Sequence, residues 1–249
     1  DIMIDEIDLS MYKAGPLNAE IVPGTKIAIV SLSAGFFSLF NAGMLFLGAE
    51  NMPSDPGMVI FVDLEKREVI AEIDTCKHPM GITITPDGKR AFVVHFASPH
   101  VAVIDVEKRE LLETVEVGPY SEEIILDDSG EVGIFAYSTA GNFRTFGSDD
   151  FAGTLSPDMP LEGDAAGVAF FPGTKIAYLV HAYMPITGAA GGYAIIDVSN
   201  PSEPVVLEDV DIPNAGISYP ATSVPKRGSV VVPYVRDNML VVEETVLDN

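Results

Sequence analysis

The hexapeptide Pro-Gly-Thr-Lys-Ile-Ala stands twice in the chain, at Pro23–Ala28 and Pro172–Ala177, and Glu-Lys-Arg-Glu also stands twice, at Glu65–Glu68 and Glu107–Glu110. Turn chemistry reused in this way marks a repeat protein, in which each unit of roughly forty residues is one supersecondary element that buries its faces only against neighbours. In such an array the fold can be argued from register. A residue that departs from the repeat at a chosen place is then a functional suspect.

The cleanest unit runs Pro79–Ile84, a turn at Pro86-Asp87-Gly88-Lys89, Ala91–His95, a loop, Val101–Asp105, a turn at Glu107-Lys108-Arg109, and Leu111–Val117. Four short runs rich in Val, Ile and Phe, separated by polar turns, predict one antiparallel four-stranded blade. The unit resembles the YVTN-type β-propeller repeat, whose pattern runs Pro-x-Gly, then Asp-Gly-Lys before Tyr-Val-x-Asn, then Val-x-Val-Ile-Asp. Equivalent units start at Leu17, His78, Tyr120, Asp164 and Tyr219. They predict an all-β, five-bladed β-propeller of four-stranded antiparallel blades, a single domain over residues 1–249, with six blades as the alternative. Met239–Glu243 is read as the third strand of the last blade, and Ile2–Ile7 as the N-terminal strand that closes the ring.

The 37 acidic against 14 basic residues leave a formal charge of −23, which repels phosphate backbones and anionic lipid surfaces. Nucleic acid is not expected as a partner. Cys76, the one cysteine, has no internal partner for a disulfide. Acidity and a start at Asp1 without Met favour a processed, secreted or periplasmic protein over a cytoplasmic one. The uncharged stretch from Ile27 to Ala49 has the length of a membrane span, but its first part is claimed by the repeat as a strand and its remainder is broken by Gly35, Asn41, Gly43 and Gly48. No membrane span is expected.

Long loops on a rigid scaffold are where chemistry concentrates. The first blade carries an apolar insertion at 33–57 that includes Phe36, Phe37, Phe40, Met44 and Phe46, and the fourth inserts Ala182–Gly192 with Met184. So much apolar surface needs cover, as a lid over an apolar ligand or as a homodimer contact.

Where the repeat family ends its second strand with Asn, this chain has Ser31, His95, Tyr137, His181 and Tyr234. Imidazoles and phenols exchange or donate protons and also stack on apolar groups. His78, Tyr120, Asp164 and Tyr219 fall on the links between blades, and His100 ends the second blade's loop, so these residues are read as substrate contacts at one face. Asp63, Asp105 and Asp197 recur at third-strand ends and are read as turn carboxylates. No Gly-rich phosphate loop or Gly-x-Ser-x-Gly elbow is present, and no organic cofactor is expected. No metal is assigned; the alternative set is His95 and His181 with Asp164 or Glu122.

These residues predict an enzyme without cofactor that moves protons on a mostly apolar small organic substrate, of lyase, isomerase or cyclase type. His95 or His181 would be acid or base, and Tyr137 and Tyr234 oxyanion donors. Two alternatives stand beside it, a non-catalytic extracellular or periplasmic binding module and a metal-dependent lactone hydrolase.

Overall fold

The computed structural model describes residues 6–12, 14–33, 57–118, 121–137, 142–161, 164–182, 191–212, 222–224, 229–236 and 239–246. These residues are nearly all β, in five antiparallel sheets, and they divide into two compact units, Asp1–Tyr120 and Ser121–Asn249. Each unit is described by itself below.

The first unit holds two four-stranded meanders: β1 (Gly15–Ile21), β2 (Ile27–Ser33), β3 (Met58–Asp63) and β4 (Glu68–Asp74), then β5 (Pro79–Ile84), β6 (Arg90–His95), β7 (His100–Asp105) and β8 (Glu110–Glu116). The strands of the second meander begin and end within one residue of the positions read from the repeat. Their turns explain why. Gly88 takes φ 72°, which suits glycine, while Asp87 Oδ1 accepts bonds from Lys89 N at 3.0 Å and Thr85 Oγ1 at 2.7 Å. In the Glu-Lys-Arg-Glu turns, Arg67 and Arg109 adopt φ near 60°. Asp63 Oδ1 accepts from Glu65 N and Lys66 N, and Asp105 Oδ1 from Lys108 N. With Asp197 Oδ1 accepting from Ser199 N, these carboxylates are the turn formers expected of them; the turn bonds hold Asp63 and Asp105 below the usual carboxylate range, and the Ser199 hydroxyl and amide do the same for Asp197.

Alternation along β2 splits its side chains between two buried faces. Ile29 joins Val59, Phe61 and Ile73 against Ile82, Ala91, Val93, Ala102 and Ile104 of the second sheet. Ala28, Val30 and Leu32 pack the other way with Ile60 and Val62, beneath Ile7, Leu9, Tyr12 and Ala14. Each such large apolar side chain contributes roughly 1.5–3 kcal/mol on burial. Both faces of one sheet being apolar is what blade-on-blade stacking requires. The Tyr12 hydroxyl ties the N-terminal segment down by donating to Glu72 Oε1 at 2.6 Å.

The second unit holds three sheets. One contains β9 (Ser121–Leu126), β10 (Val132–Tyr137), β11 (Asn142–Gly147) and the short β12 (Met159–Pro160), with a one-turn helix α1 (Phe151–Thr154) before it. The next contains β13 (Asp164–Phe170), β14 (Ile176–Ala182), β15 (Gly191–Asp197) and β16 (Val205–Ile212). The last shows three strands among the described residues, β17 (Thr222–Val224), β18 (Ser229–Arg236) and β19 (Met239–Val246). Here too β14 alternates: Ala177 and Leu179 pack with Ile134, Ala136 and Phe143 of β10 and β11, while Tyr178 and Val180 pack toward Val230.

The strand expected over Ile2–Ile7 lies mostly outside the described residues, and residues 6–9 carry no regular structure. Residues 34–56, between β2 and β3, where the insertion was read, also lie outside the described residues, as do 183–190 between β14 and β15. No helix of the described residues is long and apolar enough to cross a membrane.

Candidate functional site

A β-bulge near the start of the first strand recurs in four sheets and sets where the second strand's end points. In the first sheet Leu32 pairs with Pro16 and Ser31 with Asn18; in the third Tyr137 pairs with Ser121 and Ala136 with Glu123; in the fourth His181 pairs with Ala165 and Val180 with Gly167. His95 pairs with Pro79 ahead of the same irregularity. Leu32, and not Ser31, is therefore the residue equivalent to His95, Tyr137 and His181. The one-residue shift turns Ser31 to the opposite face of β2, because side chains alternate with period two.

That shift places Ser31 in the seam between the first and second sheets. Its hydroxyl donates to Met80 O at 3.0 Å, and it accepts from Asn18 N at 3.1 Å. Ser33, on the same side of β2, shares a 2.6 Å hydrogen bond with His78 Nδ1. Both residues are buried, and burial, with Lys77 nearby, lowers the His78 pKa. His78 also holds φ 54°, a conformation uncommon outside glycine. The sequence pattern singled out His78 and gave no sign of Ser33.

His95 faces the same seam, since Ala91 and Val93, two and four residues before it, pack there. The residue is wholly buried. Its Nδ1 lies 2.8 Å from the His100 carbonyl, so that nitrogen carries the proton and Nε2 presents its lone pair. Among the described residues no group hydrogen-bonds Nε2. Burial, only partly opposed by the His100 bond, pushes the pKa down to about 4, so the ring is neutral at physiological pH. His100 is half-buried, with Nδ1 3.0 Å from Ser98 Oγ. Three of the four histidines thus share one end of the second sheet.

In the second unit His181 occupies the position equivalent to His95, but its ring reaches sideways across β15. Nε2 donates to Asp209 Oδ1 on β16 at 3.1 Å. Gly192, paired with His181, makes this passage, because a Cβ there would lie 2.6 Å from His181 Cε1 and would overlap the Val210 carbonyl. Asp209 was not read from the sequence. Gly192 was the available signal, since a glycine inside a strand often marks close approach.

Tyr137 is buried edge-on to Phe135, ring centroids 5.7 Å apart. Burial and the nearby Asp158 carboxylate raise its pKa well above the ordinary phenol value, with Arg144 opposing. Such a phenol is a hydrogen-bond donor and not an acid near neutrality. Asp164 pairs with Ala182 and Tyr234 with Val241 along the backbone. Tyr120, Tyr219, Phe36, Phe37, Phe40, Met44, Phe46 and Met184 lie outside the described residues. Among the described residues no three His, Cys, Asp or Glu side chains come together as a metal-binding group.

No protein-family model and no curated protein matches this chain. Solved structures do. Hydrazine synthase of Kuenenia stuttgartiensis superposes with a TM-score of 0.71 at 16% identity, over 94% of this chain and 59% of that one. A functionally unknown protein from Desulfotomaculum acetoxidans gives 0.62 at 15%, over 94% and 72% of the two chains, and the Dos1 propeller 0.62 at 9%, over 90% and 52%. The fold is β-propeller-like. Identity this low carries the fold and nothing of the chemistry. This propeller chain spans little more than half of the hydrazine synthase chain it matches.

Proposed function

We propose that this propeller is an enzyme that moves a proton on a mostly apolar small molecule, without an organic cofactor, and that His95 is its proton acceptor. The observation that carries this reading is the buried, unpartnered Nε2 of a neutral imidazole whose other nitrogen is held by the His100 carbonyl. A base so placed has its lone pair fixed and desolvated before substrate arrives. Lyase, isomerase or cyclase chemistry is the class it suits. The insertion at 33–57 is the proposed cover.

His95→Asn tests this, because the Asn amide can still donate to the His100 carbonyl while removing the base. Apolar ketones and lactones incubated in D2O should take up deuterium at an acidic carbon in the presence of the protein. His95→Asn should slow the uptake about 100-fold with an unchanged circular dichroism spectrum. Equal uptake by the two proteins, or uptake by neither, sinks the reading.

A second reading, a non-catalytic binding module, is favoured by a different observation: Ser31, His78 and His181 all have partners inside the fold. It predicts ligand binding with no deuterium uptake.

For the architecture we propose five blades of one YVTN-type ring, residues 2–7 lying beside β19 as the outer strand of the last. With Cys76→Ser as background, cysteines at Ile4 and Val242 should form a disulfide in the folded protein under mild oxidation. Free thiols at both positions would place the two segments apart.

A further inference from the structure

The link between β4 and β5, residues 75–78, is held in two halves. Thr75 N donates to Gly57 O at 2.9 Å and Gly57 N to Cys76 O at 3.2 Å, which ties the first half to the start of β3. Lys77 and His78 are held from elsewhere. The His78 carbonyl accepts from Phe96 N at 2.9 Å, just beyond β6, and its Nδ1 shares the 2.6 Å bond with Ser33 Oγ at the end of β2.

This second half is strained. His78 combines φ 54° with a following Pro79. Positive φ is uncommon outside glycine, and a proline pushes the residue before it toward extended backbone. His78 therefore keeps a backbone state that it would leave if its bonds let go.

Burial adds a second load. The imidazole is buried, and burial first and Lys77 second lower its pKa. The titratable groups described around it are Lys77 and the half-buried Cys76 on the link, His95 beside Phe96 on β6, and His100 on β7, whose carbonyl holds His95. Each is neutral or cationic in mild acid, so none of them stabilises an imidazolium.

His95 is buried too, but it ends β6, which is paired with both β5 and β7. Wetting its ring means unpairing a sheet. His78 stands between strands, and turning Lys77 and His78 outward breaks no strand pairing among the described residues. A charge that the fold cannot hold is relieved by the smallest opening that hydrates it. We propose that Lys77-His78 is an acid-released latch: below neutrality His78 takes up a proton, leaves Ser33 and turns into water, while the sheets of the first unit stay paired. Release requires no chemistry at His95.

The open latch titrates near the ordinary histidine value of about 6.5, and the closed one lower. The closed form is therefore secure above about pH 6.5 and yields as pH falls, by up to about tenfold per pH unit.

Amide hydrogen exchange of the full chain, followed by NMR from pH 7 to 5 and corrected for intrinsic rates, tests the latch at Phe96 N–H. Its protection should fall with pH at up to that slope. At pH 5, about 1 M urea should leave the exchange unchanged, because a local opening exposes little surface. His78→Asn should abolish the pH dependence, since Asn tolerates positive φ and its amide can still donate to Ser33 Oγ. His95→Asn should retain it. Ser33→Ala should by itself speed Phe96 exchange about fivefold at pH 7, as loss of one hydrogen bond requires. Protection that does not fall with pH, a fall that survives in His78→Asn or vanishes in His95→Asn, acceleration by urea, or an unchanged rate in Ser33→Ala would each overturn the latch.

Discussion

Acidification from pH 6.5 to 4 is expected to remove about 3 kcal/mol of folding stability through His95 alone, each pKa unit being worth about 1.4 kcal/mol. The folded state holds this imidazole at about 4, against an unfolded value of about 6.5. Between those values the unfolded chain binds the extra proton, so stability rises with pH. The contribution is fully present above about pH 6.5 and is lost as pH falls toward 4. His78, buried in the same seam and also lowered, adds to the slope in the same direction. The turn carboxylates act in a separate window. Asp87, lowered to about 2 by Thr85 and the Lys89 amide, gives up its contribution only below the ordinary carboxylate range. Urea denaturation at half-unit pH intervals should therefore show a slope between 6.5 and 4 that is visibly shallower in His95→Asn. A variant with the wild-type slope would mean that His95 is not buried in its neutral form.

Gly192→Ala is expected to be the most damaging single-methyl addition in the fourth sheet. Its Cβ would overlap the Val210 carbonyl and stand 2.6 Å from His181 Cε1. Neither neighbour yields cheaply, since the carbonyl belongs to the strand paired alongside and the imidazole is fully buried and held by Asp209. Overpacking of this kind costs typically 1–3 kcal/mol, and breaking the His181–Asp209 bond adds to it. Ala at Gly173 offers a contrast, since nothing lies within 4 Å of its Cβ and only the φ of 71° opposes it. The melting temperature should fall several degrees for Gly192→Ala, and His181→Ala added to it should restore only part of the loss because the carbonyl overlap remains. Full restoration would assign the whole effect to the imidazole.

The strands and their order could be read from residues 79–117 because hairpin turns and alternating burial are local. Asp87-Gly88-Lys89 makes its own turn, and Ala91-Phe92-Val93-Val94 shows which side chains face inward whatever the sheet packs against. The bulges could not be read. Whether Leu17 or its neighbour is the extra residue depends on pairing across the hairpin, so Ser31 was placed one residue out of step and on the wrong face. The partners of His95 and His181 were equally hidden: one is a backbone carbonyl and the other a carboxylate on a strand two removed, reached only over a glycine.

What the sequence determined by itself is therefore the repeat, the all-β class, the turn carboxylates and the two histidines at matched strand ends, all consequences of spacing within one unit. Tertiary structure decided which of those histidines is satisfied and which is left with an open lone pair. That difference arises within each sheet, where Asp209 on the fourth strand meets His181 and Thr114 holds the same register position in the sheet of His95. Satisfaction of a buried polar group is a property of its surroundings in space, and the chain brings those surroundings together only when it folds.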